Sequence, residues 1–429
     1  MLPEAKIIVG GPAVNTCANL KDLATFFPAG TALVKGDGEK ALPILVSALI
    51  GQTVDQAAIM ELRGTYVKAG NFEHWDERPN ILSVEELNAQ PALVGYPELV
   101  AEIKMVGALR LNTRRGCRYR CVFCSHKYHL QPIAWTAERI VQELKRIDLM
   151  VKKGILPPAA REVTFDDDDF FQDRARAVSF LRAVAADPAL SHSFRFDFQG
   201  GVGSFFRRGK LDKQLLDLLA AVKPLSVKIG TDGFHPAVLK YLGKGGYTFE
   251  MAEKLMQALD RRGIKQVHYS ILTFPDITLD ILIDQLENIK RTMRQFKTMS
   301  LSVNVNLSAF ENSRLAALID PRNCHKVVSP AGAVKQLPVN LPIVDARLNK
   351  LLNEILGSSY FSVRDLKRFM RVCGKGHNLG IAKLLKARRR LPEKLSIYEA
   401  ISRFYPSIIY MTALGLFLDG LKAARDQNR

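Results

Sequence analysis

Apolar residues in this chain recur with two periods. Short continuous or alternating runs read as strands, and longer stretches with apolar positions three or four apart read as helices. After residue 100 the two kinds take turns, with strands at 108–111, 162–165, 194–198, 226–229, 267–272 and 301–306. Helices over 136–149, 174–185, 211–222, 249–261 and 278–296 lie between them, the last with Leu282, Leu286, Ile289, Met293 and Phe296 at the expected intervals. Six strands with five intervening helices predict a parallel array, because a helical crossover returns the chain to the same end of the sheet.

The first fifty residues repeat the theme on a smaller scale. A strand over 6–9 ends in Gly10-Gly11-Pro12, a helix follows with Leu20, Leu23, Phe26 and Phe27, and a second strand over 32–34 leads into Gly36-Asp37-Gly38-Glu39. Glycines at strand ends let a backbone approach a ligand closely. From 53 to 106, Gly64, Gly70, Trp75, Pro79, Pro91, Gly95 and Pro97 interrupt any period, so this stretch reads as a connector. After Pro321 the pattern predicts no strands, only helices near 345–356, 363–372, 381–389 and 396–403 and an apolar run over 408–418. That run is well short of the roughly 20 residues a membrane-spanning helix needs, and reads as a buried or dimer-forming helix.

An apolar share of 47% with 24% charged residues is that of a globular protein, not a disordered one. The N-terminus lacks the order of basic, apolar and small residues that marks a secretory signal. Cys17, Cys324 and Cys373 are scattered and do not form a secreted disulfide framework, so a reducing, cytoplasmic setting is expected. The net charge of +18 is unevenly spread, since residues 343–429 hold 17 Lys or Arg against 7 Asp or Glu. Such a surface fits nucleic acid, anionic lipid or an acidic partner, although a solvated basic helix face is the commoner outcome, and nucleic acid is not the favoured partner.

The other three cysteines fall within eight residues, Cys117-Arg118-Tyr119-Arg120-Cys121-Val122-Phe123-Cys124. Thiolates hold iron–sulfur clusters, and three from the protein leave one iron of a four-iron cube open. A structural zinc site is the competing reading, because His126 and His129 follow closely. With Arg114, Arg115, Arg118 and Arg120 around it, such a site would suit a nonenzymatic zinc- and RNA-binding protein. The strand before the motif and the strand–helix series after it favour the cluster, since a zinc finger would be a small independent module.

The C-x3-C-x2-C spacing, with Phe123 before the last cysteine, resembles the signature of the radical S-adenosylmethionine (radical SAM) superfamily. The resemblance covers about 101–313 and implies a [4Fe-4S] cluster on Cys117, Cys121 and Cys124, in a loop where Phe123 also meets the cofactor. It further implies that the open iron chelates the amino and carboxylate groups of S-adenosylmethionine, and that the reduced cluster breaks a carbon–sulfur bond. The 5'-deoxyadenosyl radical so released abstracts hydrogen from a substrate. A reductant such as ferredoxin or flavodoxin is the implied partner. The neighbouring arginines have a use here too, since positive charge near a cluster raises its potential.

Ligands of parallel sheets and barrels gather at the carboxyl ends of strands. The second strand ends in Asp166-Asp167-Asp168-Asp169, where the superfamily has Gly-Gly-Glu. The match is of position and charge, and it makes Asp167 and Asp168 candidates for the methionyl ammonium, with a divalent metal site as the alternative. Gln199 after the third strand, Asp232 after the fourth and Asn304 on the sixth, with Asn306 on the same side, complete the expected contacts. Lys228 reads as solvated.

The segments Val9-Gly10-Gly11-Pro12 and Val34-Lys35-Gly36-Asp37-Gly38-Glu39 resemble the second half of the cobalamin-binding domain that precedes many radical SAM enzymes. They imply Gly10, Gly11, Gly36, Gly38 and Glu39 as corrinoid contacts. That domain's opening strand and Asp-x-His-x-x-Gly loop have no counterpart here, so a truncated chain is expected, with a second polypeptide or a degenerate domain as alternatives. The expected fold is α/β: a half Rossmann-like cobalamin-binding domain (1–52), a connector (53–100), a partial (β/α)6 radical SAM barrel (101–315) and an α-helical C-terminal region (316–429). The expected activity is reductive cleavage of S-adenosylmethionine, leading to methyl transfer onto a poorly activated carbon where cobalamin is bound, and otherwise to rearrangement, oxidation or ring closure. A radical SAM enzyme that modifies RNA is a further reading, and would combine the cluster with the basic tail.

Overall fold

The computed structural model describes residues 7–15, 19–50, 55–69, 71–124, 131–244, 246–304, 307, 313–315, 325–328, 334–337, 343–358, 360–362, 394–396 and 408–427. The chain divides into two compact units. One comprises 1–94, 112–143 and 308–340, and the other 95–111, 144–307 and 341–429.

The first unit is built on a four-stranded sheet in the order β1 (Ile8–Val9), β2 (Ala32–Val34), β3 (Thr65–Ala69) and β4 (Phe72–Trp75). β1 and β2 are parallel, while β3 and β4 form an antiparallel hairpin laid against β2. The stretch read as a connector therefore supplies half of this sheet. Thr65-Tyr66-Val67 and Phe72-Glu73-His74-Trp75 are β-prone runs around Gly70-Asn71, a pair suited to a hairpin turn. Turn residues punctuate hairpins as well as connectors, which is why the glycines and prolines were misleading.

Because strand side chains alternate, this sheet has two apolar faces. α1 (Gly38–Ile50) buries Ala41, Leu45, Ala48 and Leu49 against Ala32, Val34 and Val67. Val14, Leu20, Leu33 and Tyr66 fill the other side. α2 (Val84–Asn88) begins at a capping box in which Ser83 and Glu86 each bond the other's backbone.

The second unit opens with α3 (Pro97–Val106), stopped by Gly107 in the left-handed region (φ 80°). Its sheet comprises β5 (Leu109–Leu111), β6 (Glu162–Phe165), β7 (Arg195–Gly201), β8 (Ser226–Asp232), β9 (Gln266–Ile271) and β10 (Met299–Asn304). All neighbours are parallel and their spatial order is the chain order, as in an open (β/α)6 barrel. The crossovers are α4 (Ala137–Lys152), α5 (Arg174–Ala186), α6 (Lys213–Ala221), α7 (Phe249–Arg261) and α8 (Leu279–Gln295).

The two faces of this sheet differ in kind. Phe165, Phe196 and Phe198 meet Phe170 and Phe180 in an aromatic layer under α5, with ring centroids 4.8 to 6.4 Å apart. Residues at alternate positions, among them Arg110, Asp197, Gln199, Lys228, Tyr269 and Asn304, turn to the opposite side and are half-buried or exposed. A barrel interior packed as a core would carry branched apolar residues there. Polar, partly open positions instead leave room for a ligand.

Past β10 the expectation of helices alone is corrected. Residues 325–328 pair antiparallel with 334–337, and 360–362 with 394–396. The first pair joins Val327-Val328 to Val334 across Ser329-Pro330-Ala331-Gly332-Ala333, a turn-rich link between β-prone residues. α9 (Ala346–Ser358) lies where a helix was expected, whereas the helices read at 363–372 and 381–389 fall outside the described residues. Of the helix read at 396–403, Ser396 ends a strand and the rest is outside the described residues. α10 (Ile408–Gln427) buries Phe417, Leu418 and Leu421. Among the described residues no helix is long and apolar enough to cross a membrane.

Candidate functional site

In the first unit the cysteine loop is pinched at its base. Arg114–Arg115 pairs antiparallel with Ile133–Ala134, and Trp135 N donates to Thr113 O at 2.8 Å. Asn88 pins the returning strand by donating to Ala134 O (3.1 Å) and accepting from Thr136 N (3.0 Å). Within the loop Cys124 N donates to Cys121 O at 3.2 Å, so the C-x2-C half of the motif is one four-residue turn. None of the three is in a disulfide; Cys121 is buried, while Cys117 and Cys124 are half-buried, as is Phe123.

Cluster and zinc ask for different donor sets. Among the described residues no three His, Cys, Asp or Glu side chains are grouped as ligands of a single ion. Zinc requires such convergence. A four-iron cube gives each thiolate its own iron, and so takes three sulfurs spread around a loop. His126 and His129 lie outside the described residues.

Arg115 has a structural task. Its Nη1 donates to Asp37 Oδ1 (2.6 Å) and Glu39 Oε2 (3.0 Å), and Nη2 bonds Glu39 Oε1. Burial opposes the charged form of this guanidinium, yet hydrogen bonds and charge from Glu39 and Asp37 outweigh it and hold the pKa above the ordinary arginine value. With two carboxylates on one cation, Arg115 adds no net positive charge beside the cysteines. Arg118 and Arg120, within the motif itself, are exposed.

The five glycine-loop positions separate in the same way. Gly36 has φ +92°, and a Cβ there would stand 2.2 Å from Asn80 O, so its freedom serves a bridge to the chain's own backbone. Glu39 is engaged by Arg115. Gly10 and Gly11 are exposed, and a Cβ on Gly11 or Gly38 would meet nothing within 4 Å. These three remain open to a ligand such as a corrinoid.

In the second unit the four aspartates after β6 take different partners. Asp166 accepts from Arg110 Nε at 2.6 Å. Asp167 is fully buried and accepts from Arg176 Nη2 at 3.0 Å. Asp169, 1% exposed, accepts from Phe171 N (3.1 Å), Gly201 N (3.1 Å) and Ser204 Oγ (2.6 Å), and so ties the β6 end to the β7 end. Asp168 is half-buried. Gln199 and Asn304 both lie on the polar side of the sheet, Gln199 half-buried and Asn304 exposed. Asn306 is outside the described residues.

Asp232 ends β8 at a register shift between Gly230 and Asp232. Its φ of 58° is left-handed, which an aspartate tolerates better than most residues, and Lys244 Nζ pairs with its carboxylate. Tyr247 Oη bonds Thr231 O beside it. Beneath lies a buried relay that the sequence reading missed. Gln266 Nε2 donates to Met256 O and Thr298 Oγ1, both at 3.0 Å, so its Oε1 faces His268 Nε2 at 2.7 Å. That assigns the proton to Nε2 and leaves Nδ1 to accept from Thr231 Oγ1 at 2.6 Å. Burial pushes the His268 pKa down to about 3. A polar residue at every second position of β9, Gln266, His268 and Ser270, was the available signal.

Comparison with known proteins sets these features in a family. Residues 111–289 match the family model of the Radical SAM superfamily. A relative from Pyrococcus horikoshii described as an uncharacterized methyltransferase, PH0819, is 25% identical over 284 residues, which are 63% of this chain and 55% of that protein. The structure of the radical S-adenosylmethionine methyltransferase TsrM from Kitasatospora setae superposes with a TM-score of 0.59 at 21% identity, over 76% of this chain and 60% of that one. OxsB, a cobalamin-dependent S-adenosylmethionine radical enzyme, superposes with a TM-score of 0.61 at 14% identity, over 99% of this chain and 68% of that one. The chain thus spans about half the length of the curated relative it matches. The matched segment runs from the first strand of the parallel sheet through the cysteine loop into α8; over that stretch the chain is similar to the Radical SAM superfamily, and its fold is similar to those of TsrM and OxsB.

Proposed function

We propose that the protein is a radical SAM methyltransferase that works with a [4Fe-4S] cluster, S-adenosylmethionine and cobalamin, and methylates a poorly activated carbon. The observation that carries this reading is the trio of cysteines, none in a disulfide, on one C-x3-C-x2-C loop, two of them on a single turn, inside the segment that matches the superfamily. When bound, such a cluster supplies the electron that breaks a carbon–sulfur bond of S-adenosylmethionine. Cys117, Cys121 and Cys124 hold it, and the turn at 121–124 presets the spacing of two of the three sulfurs. Asp168, Gln199, Asp232 and Asn304 supply polar contacts along the strand ends, and Phe123 an apolar one in the loop. Asp167 acts through Arg176 as a brace. Support for cobalamin comes from the open Gly10, Gly11 and Gly38 and from the TsrM structure, described with cobalamin and a [4Fe-4S] cluster bound. A small electron-transfer protein such as ferredoxin or flavodoxin provides the reducing equivalent.

The test is anaerobic reconstitution of the parent and of Cys117→Ala, Cys121→Ala and Cys124→Ala. Iron and sulfide content are measured, followed by dithionite-driven conversion of S-adenosylmethionine to 5'-deoxyadenosine or S-adenosylhomocysteine. The reading requires a brown, iron-loaded parent and loss of product in each variant. Undiminished product in any of the three overturns it.

A further inference from the structure

On the polar side of the six-stranded sheet, Lys228 Nζ of β8 lies 2.5 Å from Asp197 Oδ2 of β7, and Ser226 Oγ donates to Asp197 Oδ1 at 2.5 Å. Both carboxylate oxygens are thereby engaged, whereas the ammonium has three N–H donors and this one partner among the described residues. Gln199 stands directly opposite Lys228 across the β7–β8 pair. Tyr269 stands opposite Gly230, two residues further along the same side of β8, where the Asp232–Lys244 pair also reaches, since a Cβ on Gly230 would stand 3.4 Å from Asp232 Oδ2 and 3.8 Å from Lys244 Nζ. Neither the Gln199 amide nor the Tyr269 hydroxyl has a hydrogen-bond partner among the described residues. Burial, helped by the Asp197 charge, holds the phenol above its ordinary pKa, so it remains a donor.

The unused valences are therefore mostly donors. An ion pair needed only to brace β7 against β8 would not account for a second and third unsatisfied donor on the neighbouring positions. We propose that Lys228, Tyr269 and Gln199 form a subsite for a carboxylate carried by the substrate, with Asp197 and Ser226 as positioning residues that aim the ammonium. The charges of Lys228 and Asp197 cancel, so a bound carboxylate leaves a single negative charge there. A phosphate dianion would leave two in a half-buried site, at a higher desolvation cost. Lys228 precedes Gly230 by two residues, roughly 7 Å along the strand at about 3.3 Å per residue, and the Asp232 carboxylate at the strand end reaches over Gly230. A substrate anchored at this depth can extend toward the strand ends. This inference rests on the proposed function, which requires a place for substrate beside the cofactors, and it gives Gln199 to that substrate instead of to the cofactor.

Cluster-reconstituted protein is titrated with 3-phenylpropionate, with its neutral amide and with phenylpropyl phosphate, and binding is read by ligand-observed NMR. One charge-assisted hydrogen bond predicts at least about a tenfold preference for the carboxylate over the amide. Lys228→Met should abolish that preference, Tyr269→Phe should weaken it and Lys228→Arg should retain part of it. If Lys228→Met fails to fold because Asp197 loses its counter-ion, the double variant Lys228→Met with Asp197→Asn removes both charges and carries the same expectation. Equal affinities, no carboxylate binding, tighter phosphate binding, or an undiminished preference in the variants overturns the proposal. The change in the cluster EPR signal on adding S-adenosylmethionine is recorded in the same samples. Its loss only in the Lys228 variants assigns Lys228 to the cofactor and also overturns the proposal. Its absence from the parent counts against the proposed function, while the titration still decides the subsite.

Discussion

Arg115 and Asp37 form an ion pair, Nη1 to Oδ1 2.6 Å, in which the carboxylate is almost fully buried and the guanidinium belongs to the residue two before Cys117. Asp37 is also held from its other oxygen by Leu82 N at 2.8 Å, and its backbone is paired with Asn80. The approach to the cysteine loop is thus fastened to the end of β2.

Arg115→Met would leave Asp37 buried without its counter-ion, a change that costs about 3–5 kcal/mol. Arg115→Lys keeps the charge but loses the fork that reaches Glu39 at the same time, and should fall between. The denaturant midpoint and the iron retained per chain should drop together, more in the first variant than in the second. An unchanged midpoint in Arg115→Met would show that the pair does not brace the unit.

Asp232 holds a left-handed backbone without being glycine. Both variants lose the mostly buried pair with Lys244, at about 3–5 kcal/mol; Asn is the side chain that best tolerates this region, so Asp232→Asn should add no strain to that loss, whereas Asp232→Ala should cost about 1–2 kcal/mol more. If the carboxylate also meets the cofactor, both variants bind S-adenosylmethionine more weakly, which equilibrium dialysis of reconstituted protein measures. Equal stability of the Ala and Asn variants would argue against strain at this position.

His268 gives a prediction in pH. Its folded pKa is about 3 against an ordinary 6.5, so between these values the unfolded chain binds a proton that the folded chain refuses. Stability from this residue is complete above 6.5 and is lost as pH falls toward 3, by up to about 1.4 kcal/mol per pH unit. His268→Asn removes the titration, and its urea midpoint should fall less steeply than the parent's between about pH 7 and about pH 5. Parallel curves would place the proton elsewhere.

Of the six cysteines, Cys117, Cys121 and Cys124 fall within eight residues of sequence. Replacing Cys17, Cys324 or Cys373 with Ser should leave iron content within error of the parent, whereas each loop cysteine is required for a full cluster. A scattered cysteine whose loss empties the site would mean that it serves as a ligand.

The parallel sheet was legible in the sequence because its strands and helices are separated by distinct periods, and strand order followed from the crossovers. The grouping of Cys117, Cys121 and Cys124 in one loop was legible as well, since their spacing is local. The β3–β4 hairpin was overlooked because its turn residues resemble those of a connector. The differing fates of Asp166, Asp167, Asp168 and Asp169 could not be read at all, because they depend on Arg110, Arg176, Gly201 and Ser204, which lie elsewhere in the chain.

By itself the sequence determined the order of strands and helices, the parallel direction of the sheet and the identity of the thiols, all of which depend on neighbours a few residues apart. Only the tertiary structure decided which charged groups are committed. Gly36 and Glu39 turned inward to the protein's own backbone and to Arg115, while Lys228 and Tyr269 were left with donors to spare. The physical reason is that a hydrogen bond or ion pair is a relation between segments many residues apart, and burial, which sets its strength, exists only once the chain has folded.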